Sequence, residues 1–323
     1  MAYNNVISRT DADALIPEAV SNEILTNVPK QSAVLQLARK LANMSRDQSR
    51  MPVMSALATA YFVSGDTGLK QTSEVNWENK YINAEELAVI VPIPQAVLDD
   101  ADYDIWGQVR PSVEEAFGIA IDAAVLYGTN IPASWTTNLG AAAGLIAGAL
   151  AASHNASLAA YTDLYEAILG ETAAGVSGLF GLVEADGFMV TGSIAAMATK
   201  RMLRNVRTID GMPIFTRSMQ GVNQYELDGA PCLFPTNGAI SATYHLISGQ
   251  WNQLVYAMRQ DITYKLLDQA VIQDGSGAII YNLAQQDMVA LRAVMRLGFA
   301  LPNPINRMNT SAVTRFPFAY LTA

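Results

Sequence analysis

Carboxylates, histidines, thiols and glycine loops are where catalysis and metal binding begin, and this chain offers each in a form that stops short of a site. Asp99, Asp100, Asp102 and Asp104 crowd one stretch, a charge density that a divalent cation favours. A cation loop also needs backbone turns and a longer ligand set. The stretch therefore reads as a solvated acidic lead-in to a helix, whose dipole favours negative charge there. The two histidines, His154 and His245, are far apart and lack the carboxylate or cysteine spacing of a metal cluster, so each is expected on the surface or in a loop. Cys232 is the single cysteine and sits in the apolar stretch APCLF, where a small buried side chain is expected; one cysteine excludes an intramolecular disulfide and a thiolate zinc cage. Gly65–Lys70 (GDTGLK) lacks the GxxxxGK[ST] spacing of a phosphate loop, and Ser177, near Gly175 and Gly178, lacks the GxSxG elbow. No catalytic, cofactor-binding or metal-ligating set is expected, and no enzyme.

Composition points elsewhere. Of 323 residues, 51% are hydrophobic and 15% are charged, against about 25% charged in an average soluble domain. The surplus of apolar surface is suited to contacts between copies of the chain. A net charge of -9 and a pI near 4.7 argue against tight gripping of phosphate backbones, which is largely the work of Lys and Arg. The N-terminus has no basic region followed by an apolar run, so no secretory signal is expected and cytoplasmic synthesis follows. Gly140, Gly144 and Gly148 in LGAAAGLIAGALAA have the spacing of membrane helix dimers, but the run spans about 21 Å, short of a bilayer. It reads as a packed segment of a soluble protein.

The elements that must position everything else are led by Val91–Gly128. Trp106, Val109, Val113, Phe117, Ala120, Ala124 and Tyr127 recur at helical spacing, with polar residues, Asp122 among them, mostly elsewhere. Asp104 is placed to cap the start and Gly128 to end the helix in a left-handed conformation. Pro111 predicts a kink between Gly107 and Pro111. Before this helix, residues 1–50 hold short helical pieces, one reaching about Asn27 and one over Gln31–Leu41, too small for a core of their own. Met51–Val63 and Ser73–Ile93 form a long hairpin about Gly65–Gly68, a ribbon needing something to lie on. After it, residues 153–250 read as an α/β unit: a helix over Tyr161–Thr172, a buried strand over Gly187–Thr191, a helix over Ser193–Asn205 capped by Ser193, and a strand about Asp228-Gly229. Asp261–Leu267 is extended and Asp274–Gly277 turns. In Met288–Ala300, Val289, Leu291, Ala293, Met295, Leu297 and Phe299 share one face while Arg292 and Arg296 share the other.

In this order the pieces resemble the major capsid protein family of tailed bacteriophages, which has the HK97 fold. IPEAVSNEIL (16–25) looks like its N-terminal arm, VPIPQAVLDDADYDIWGQVRPSVEEAFGIAIDAAVLYGT (91–129) like its strand, acidic turn and spine helix, IDGMPIF (209–215) like its axial hairpin, and QQDMVALRAVMRLGFALPNP (285–304) like its closing strand. The resemblance implies an α+β fold with an N-arm (1–50), an extended loop (51–86), a peripheral domain with the spine helix (87–132), an axial domain (133–250) and peripheral return strands with the C-terminus (251–323). It implies pentamers and hexamers closing into an icosahedral shell around double-stranded DNA, which the acidic chain does not bind tightly. The expected intersubunit residues are Ile16, Gly65, Asp66, Gly68, Lys70, Trp77, Lys80, Arg292 and Arg296; Trp106, Pro111, Phe117 and Tyr127 mark the spine helix.

The resemblance further implies a virion protein made in the host bacterial cytoplasm, with portal and decoration proteins as partners. Some members crosslink a loop lysine to a neighbour's asparagine with help from a glutamate. Here Lys70 or Lys80 matches the lysine, but Asp287 and Val294 stand at the other two positions, so a non-covalent shell is expected. Some members also carry a long N-terminal scaffold segment, whereas this chain starts almost at the arm; a separate scaffold protein, or prior processing, is implied. Two other readings use the same features: an encapsulin-type shell holding cargo enzymes, and a soluble α/β enzyme centred on residues 153–250.

Overall fold

Ser32 closes the first turn of helix α1 (Ala33–Leu37), its Oγ accepting from the Leu35 N–H at 3.1 Å. The helix ends short of the expected Leu41 because Arg39 and Lys40 are drawn into strand β1 (Arg39–Lys40), parallel to Val255 and Tyr256. The computed structural model describes residues 32–63, 68–100, 104–139, 143–171, 176–206 and 225–323; Ile16, the helix expected to reach Asn27, Gly65, Asp66 and the hairpin at 209–215 lie outside them. Ala33 and Val34 are buried in the main core, so this part of the arm lies on its own body.

Strands β2 (Gln48–Ala56) and β3 (Asn76–Asn83) form the expected antiparallel hairpin, with Met54 opposite Trp77 and Met51 opposite Lys80. The expected single strand to Ile93 is two strands with different partners. The chain breaks at Ala84, whose N–H donates to the Asp47 carbonyl at 2.8 Å and whose side chain is buried with Ile82, Met44 and Val255. Beyond it, β4 (Glu85–Pro94) joins the peripheral sheet. Helix α2 (Gln95–Asp100) stands at the start of the expected acidic turn.

Helix α3 (Ile105–Tyr127) matches its sequence signals at both ends. Asp104 accepts from the Gly107 N–H at 3.0 Å, and Gly128 is left-handed at φ 71°. A Cβ at Gly128 would stand 2.3 Å from the Ala143 carbonyl oxygen, so only glycine serves there. The helix runs on through Pro111, which is exposed. Val113, Phe117, Ile121, Ala124 and Val125 bury one side, and Asp122, expected on the polar side, is fully buried with them.

Helices α4 (Ala133–Asn138) and α5 (Leu145–Ala151) follow. Gly148 packs against the Phe316 ring, so the small-residue spacing serves packing within the chain, and no helix among the described residues is long and apolar enough to cross a membrane. Next come β5 (Asn155–Ser157), α6 (Leu164–Leu169) capped by Asp163, a short ladder of β6 (Gly170–Glu171) with β7 (Val176–Ser177), and α7 (Leu179–Ala185). The helix expected over 161–172 is thus shorter at both ends. The strand expected at 187–191 is β8 (Gly192–Ala195) instead, and Ser193 lies inside it rather than capping the helix. Its hydroxyl is fully buried and 2.8 Å from that of Ser248 on the neighbouring strand, a pairing that outweighs the local cap signal. Helix α8 (Met197–Asn205) starts later, without a side-chain cap. Strands β9 (Tyr225–Leu227) and β10 (Ala230–Leu233) flank Asp228 and Gly229, both at positive φ (50° and 75°), the geometry of a tight hairpin turn.

Strand β11 (Tyr244–Gly249) precedes the long β12 (Val255–Leu267), the hairpin β13 (Val271–Gln273) with β14 (Ile279–Asn282), the turn of helix α9 (Leu283–Gln286), β15 (Met288–Ala300) and β16 (Phe318–Thr322). The peripheral sheet has the order β1-β12-β15-β4, and the six-stranded sheet the order β5-β16-β11-β8-β10-β9. The chain's last strand therefore sits inside the second sheet. The main core joins α3, β15 and β16 through Phe117, Val125, Leu126, Trp251, Phe299 and Phe318, and a second core lies between the six-stranded sheet and α6–α8.

Candidate assembly surfaces

The β2–β3 hairpin has two unlike faces. One leans on its own chain: the Ile305 N–H donates to the Met54 carbonyl at 3.4 Å, and Arg307 Nη2 to the Ala58 carbonyl at 2.5 Å. At the root, Trp135 Nε1 donates to the Asn83 carbonyl at 3.0 Å, and Gly298 of β15 passes so close that a Cβ would stand 2.4 Å from that same oxygen. Strand alternation puts Met54, Trp77 and Tyr81 on the other face, where they are 38%, 67% and 40% exposed. Toward the tip, Phe62 and Leu69 are almost wholly exposed, Lys70 is exposed and Gly68 is half-buried. Lys80 reaches Glu78 at 3.0 Å in a surface pair. Met54, Trp77 and Tyr81 leave apolar surface open on one face of the hairpin, a feature of interaction sites.

The outer face of the peripheral sheet is polar and basic. Asp47 accepts from Arg296 Nη2 at 2.7 Å and from Arg259 Nη1 at 3.1 Å, tying the hairpin root to β12 and β15. Arg296 is thus engaged within its own subunit, whereas Arg292 is exposed. Val294 lies on this face, and Asp287 is left-handed at φ 53°, its carbonyl accepting from the Gln95 N–H.

Where the arm leaves the body, a buried carboxylate does the holding. Asp122 of α3 accepts from the Ser32 hydroxyl, from the N–H groups of Ala33 (3.0 Å) and Val34 (3.1 Å), and from Asn237 Nδ2 at 3.4 Å. Burial raises its pKa, and the hydrogen bonds only partly offset this. Sequence reasoning missed this residue, although AFGIAIDAAVLY (116–127) carries it as a lone charge in an apolar run. Trp106 and Tyr127 are half-buried and Phe117 is core; the Tyr127 hydroxyl accepts from the Ser241 N–H at 3.0 Å, joining the helix end to the loop before β11.

Both histidines, expected on the surface or in a loop, are buried; His154 does lie in the connection between α5 and β5, whereas His245 is in strand β11. His154 Nε2 lies 3.2 Å from Asp186 Oδ2 and its Nδ1 3.2 Å from the Phe318 carbonyl, while Asp186 also accepts from Asn309 Nδ2 (2.6 Å) and the Phe316 N–H (2.8 Å). The network fastens the C-terminal segment to α7. Burial pushes the pKa of His245 down. Cys232 is buried as expected, its thiol pushed up to about 12. Among the described residues no group of three or more His, Cys, Asp or Glu could hold a metal ion. The geometry leaves an apolar face of the hairpin and a basic face of the sheet open and supplies hydrogen-bonded anchors within the chain.

The model of the phage capsid family matches residues 12–306. The chain belongs to the phage capsid family. This capsid-family chain is 25% identical over 300 residues to the major capsid protein of Staphylococcus phage 80alpha, covering 91% of this chain and 84% of that one. It is 22% identical over 285 residues to the probable major capsid protein gp17 of Mycobacterium phage D29 (86% and 84% covered). A solved chain from Microbacterium phage Oxtober96 superposes with a TM-score of 0.81 at 34% identity over 98% of this chain and 99% of that one. A native GTA particle capsid chain shares the fold at a TM-score of 0.64 and 18% identity, 99% of each chain being covered. The expected α+β, HK97-like capsid fold is therefore the fold of this chain, and its family is a structural one.

Proposed function

We propose that the chain is a major capsid protein that self-assembles as pentamers and hexamers into an icosahedral shell around double-stranded DNA in the virion. One observation carries the assembly reading: a projecting hairpin keeps Met54, Trp77 and Tyr81 exposed on the face turned from its own body. In a shell the hairpin lies over the peripheral sheet of an adjacent subunit, the arm runs beneath a neighbour, and the axial units meet around the local symmetry axis. With a net charge of -9 the wall encloses DNA without gripping it tightly. A separate scaffold protein, a portal and decoration proteins are the partners such a shell calls for. Asp287 and Val294 leave no asparagine acceptor and no glutamate helper for a lysine crosslink, so the shell is held by non-covalent contacts.

Electron microscopy of the purified protein tests the shell. Deleting Gly65–Ser73 is expected to leave the body folded by circular dichroism and to prevent closure. Normal particles from that deletion would overturn the role given to the hairpin.

A further inference from the structure

An asparagine followed by glycine is the pair in which a side-chain amide is most readily attacked by the next backbone nitrogen, because glycine neither shields that nitrogen nor restricts its own backbone. The chain has a single such pair, Asn237-Gly238, in the loop between β10 and β11. Gly238 is exposed at φ 73°, and a Cβ there would meet nothing within 4 Å, so solvent reaches it and its backbone has room to swing. The rest of the loop is pinned: Ala239 is buried, Ile240 packs on the main core, and the Ser241 N–H donates to the Tyr127 hydroxyl. The half-buried Asn237 side chain is held between two groups. Its Oδ1 accepts from the Ala239 N–H at 3.1 Å, and its Nδ2 donates to Asp122 Oδ2 at 3.4 Å. The first contact puts a donor on the oxygen where negative charge develops when the Gly238 nitrogen adds to Cγ. The second sets the nitrogen that leaves against the carboxylate that anchors the arm.

We propose that Asn237 is a self-modification site, deamidating through Gly238, and that its product loosens the clasp between Asp122 and the arm. The Gly238 amide gives its proton to hydroxide, and its nitrogen bonds to Cγ. The Cγ–Nδ2 bond breaks, and ammonia leaves with a proton from water, closing a cyclic imide. Water then adds to either imide carbonyl and breaks its bond to nitrogen, giving aspartate or its β-linked isomer. Water is consumed, ammonia is released and nothing is oxidised or reduced. Either product puts a carboxylate where an amide donor stood beside Asp122, which is buried and already accepts from Ser32, Ala33 and Val34. Like charges that close repel. The loop is pinned at Ala239, Ile240 and Ser241, so the Asp122 carboxylate gives way first and takes its acceptor oxygens from the arm.

The test follows the purified full chain held at pH 8. Peptide mapping by mass spectrometry is expected to find Asn237 converted ahead of every other asparagine, and converted chains to be cut by a protease about residues 32–38 about tenfold faster. Asn237→Asp is expected to show that loss of protection at once, while Asn237→Gln, whose longer side chain closes the ring poorly, stays unconverted. A double-mutant cycle separates charge repulsion from a general fault in the loop. The gain in cleavage rate caused by Asn237→Asp is expected to shrink from about tenfold to about twofold or less where Asp122→Asn removes the opposing charge. An Asn237 that keeps its amide in the native chain, through an incubation that converts it in the unfolded chain, overturns the site. Conversion without loss of arm protection, or an effect of Asn237→Asp equal in both backgrounds, overturns the loosening of the clasp.

Discussion

Replacing Asp122 with alanine tests how the arm is fixed to the spine helix. The carboxylate is fully buried, and Ala33 and Val34, whose N–H groups it accepts, are 2% and 0% exposed. Alanine strands those two donors and the Ser32 hydroxyl, and each unsatisfied buried group costs about 1–3 kcal/mol. The hydroxyl is free to rotate, and the burial cost of the carboxylate disappears with it, so the net loss is about 2–4 kcal/mol. Asparagine keeps the shape but turns an NH2 toward a set of donors, for a loss of about 1–2 kcal/mol. Denaturant unfolding of the unassembled subunit measures both, and limited proteolysis about residues 32–38 reports whether α1 has come loose. The pH dependence has a definite sign. Burial, outweighing the hydrogen bonds, raises the folded pKa above the ordinary 3.8. The stability contributed by Asp122 is therefore full below about pH 3.8 and is lost as pH rises through the folded value. The advantage of the natural residue over Asp122→Asn is expected to be greatest in acid and to shrink toward neutrality. A wild-type unfolding midpoint in Asp122→Ala, or an advantage that grows with pH, would refute the anchor or its burial.

Pro111→Ala restores a donor to the Gly107 carbonyl and removes a ring clash, a gain of up to about 3 kcal/mol in a helix interior. It is expected to stabilise the subunit while altering particle expansion more than folding; an unchanged expansion transition by electron microscopy removes the idea that this helix bends during maturation. Gly298→Ala drives a Cβ to 2.4 Å from the Asn83 carbonyl oxygen and is expected to cost about 1–3 kcal/mol, read as a lower melting temperature. Boiled particles are expected to run as a single 34.7 kDa band, and a ladder above it contradicts the non-covalent shell. Cys232, its thiol pushed up to about 12, is expected to resist thiol reagents at pH 8 until the chain is unfolded; prompt labelling of native subunits counts against its burial.

What was legible in the sequence shares one property: the deciding physics is local. Asp104, Gly128 and the period between them define the spine helix because caps and helical spacing act over a few residues. The alternation of Met288–Ala300 defines a strand with a buried and an open face for the same reason, whereas the one strand expected about Asp228-Gly229 is two short strands, because both of those residues take positive φ and turn the chain between them. What was misread was decided at long range. Ser193 carries a good local cap signal, yet its partner is Ser248 on another strand. Ala84 divides one extended stretch because Asp47 and a small core hold it there. His154 acquires its burial from Asp186 and Phe318, which no spacing rule connects to it.

The assembly surfaces fall between these cases. A chain with 51% hydrophobic and 15% charged residues announces that some apolar surface awaits a partner, but composition names no face. The face follows from register: Met54 opposite Trp77 puts the apolar side chains on the side of the hairpin away from its own body, and a one-residue slip would turn them inward. Register likewise separates the two arginines that sequence treats alike, since Arg296 meets Asp47 of its own subunit while Arg292 stands between Lys265 and Ile90 and has no carboxylate partner among the described residues. An arginine already paired at home has less to gain from a neighbour than one held against a like charge. Of the two, Arg292 is therefore the residue whose loss should weaken contacts between subunits, and Arg296 the one whose loss should first loosen the hairpin root.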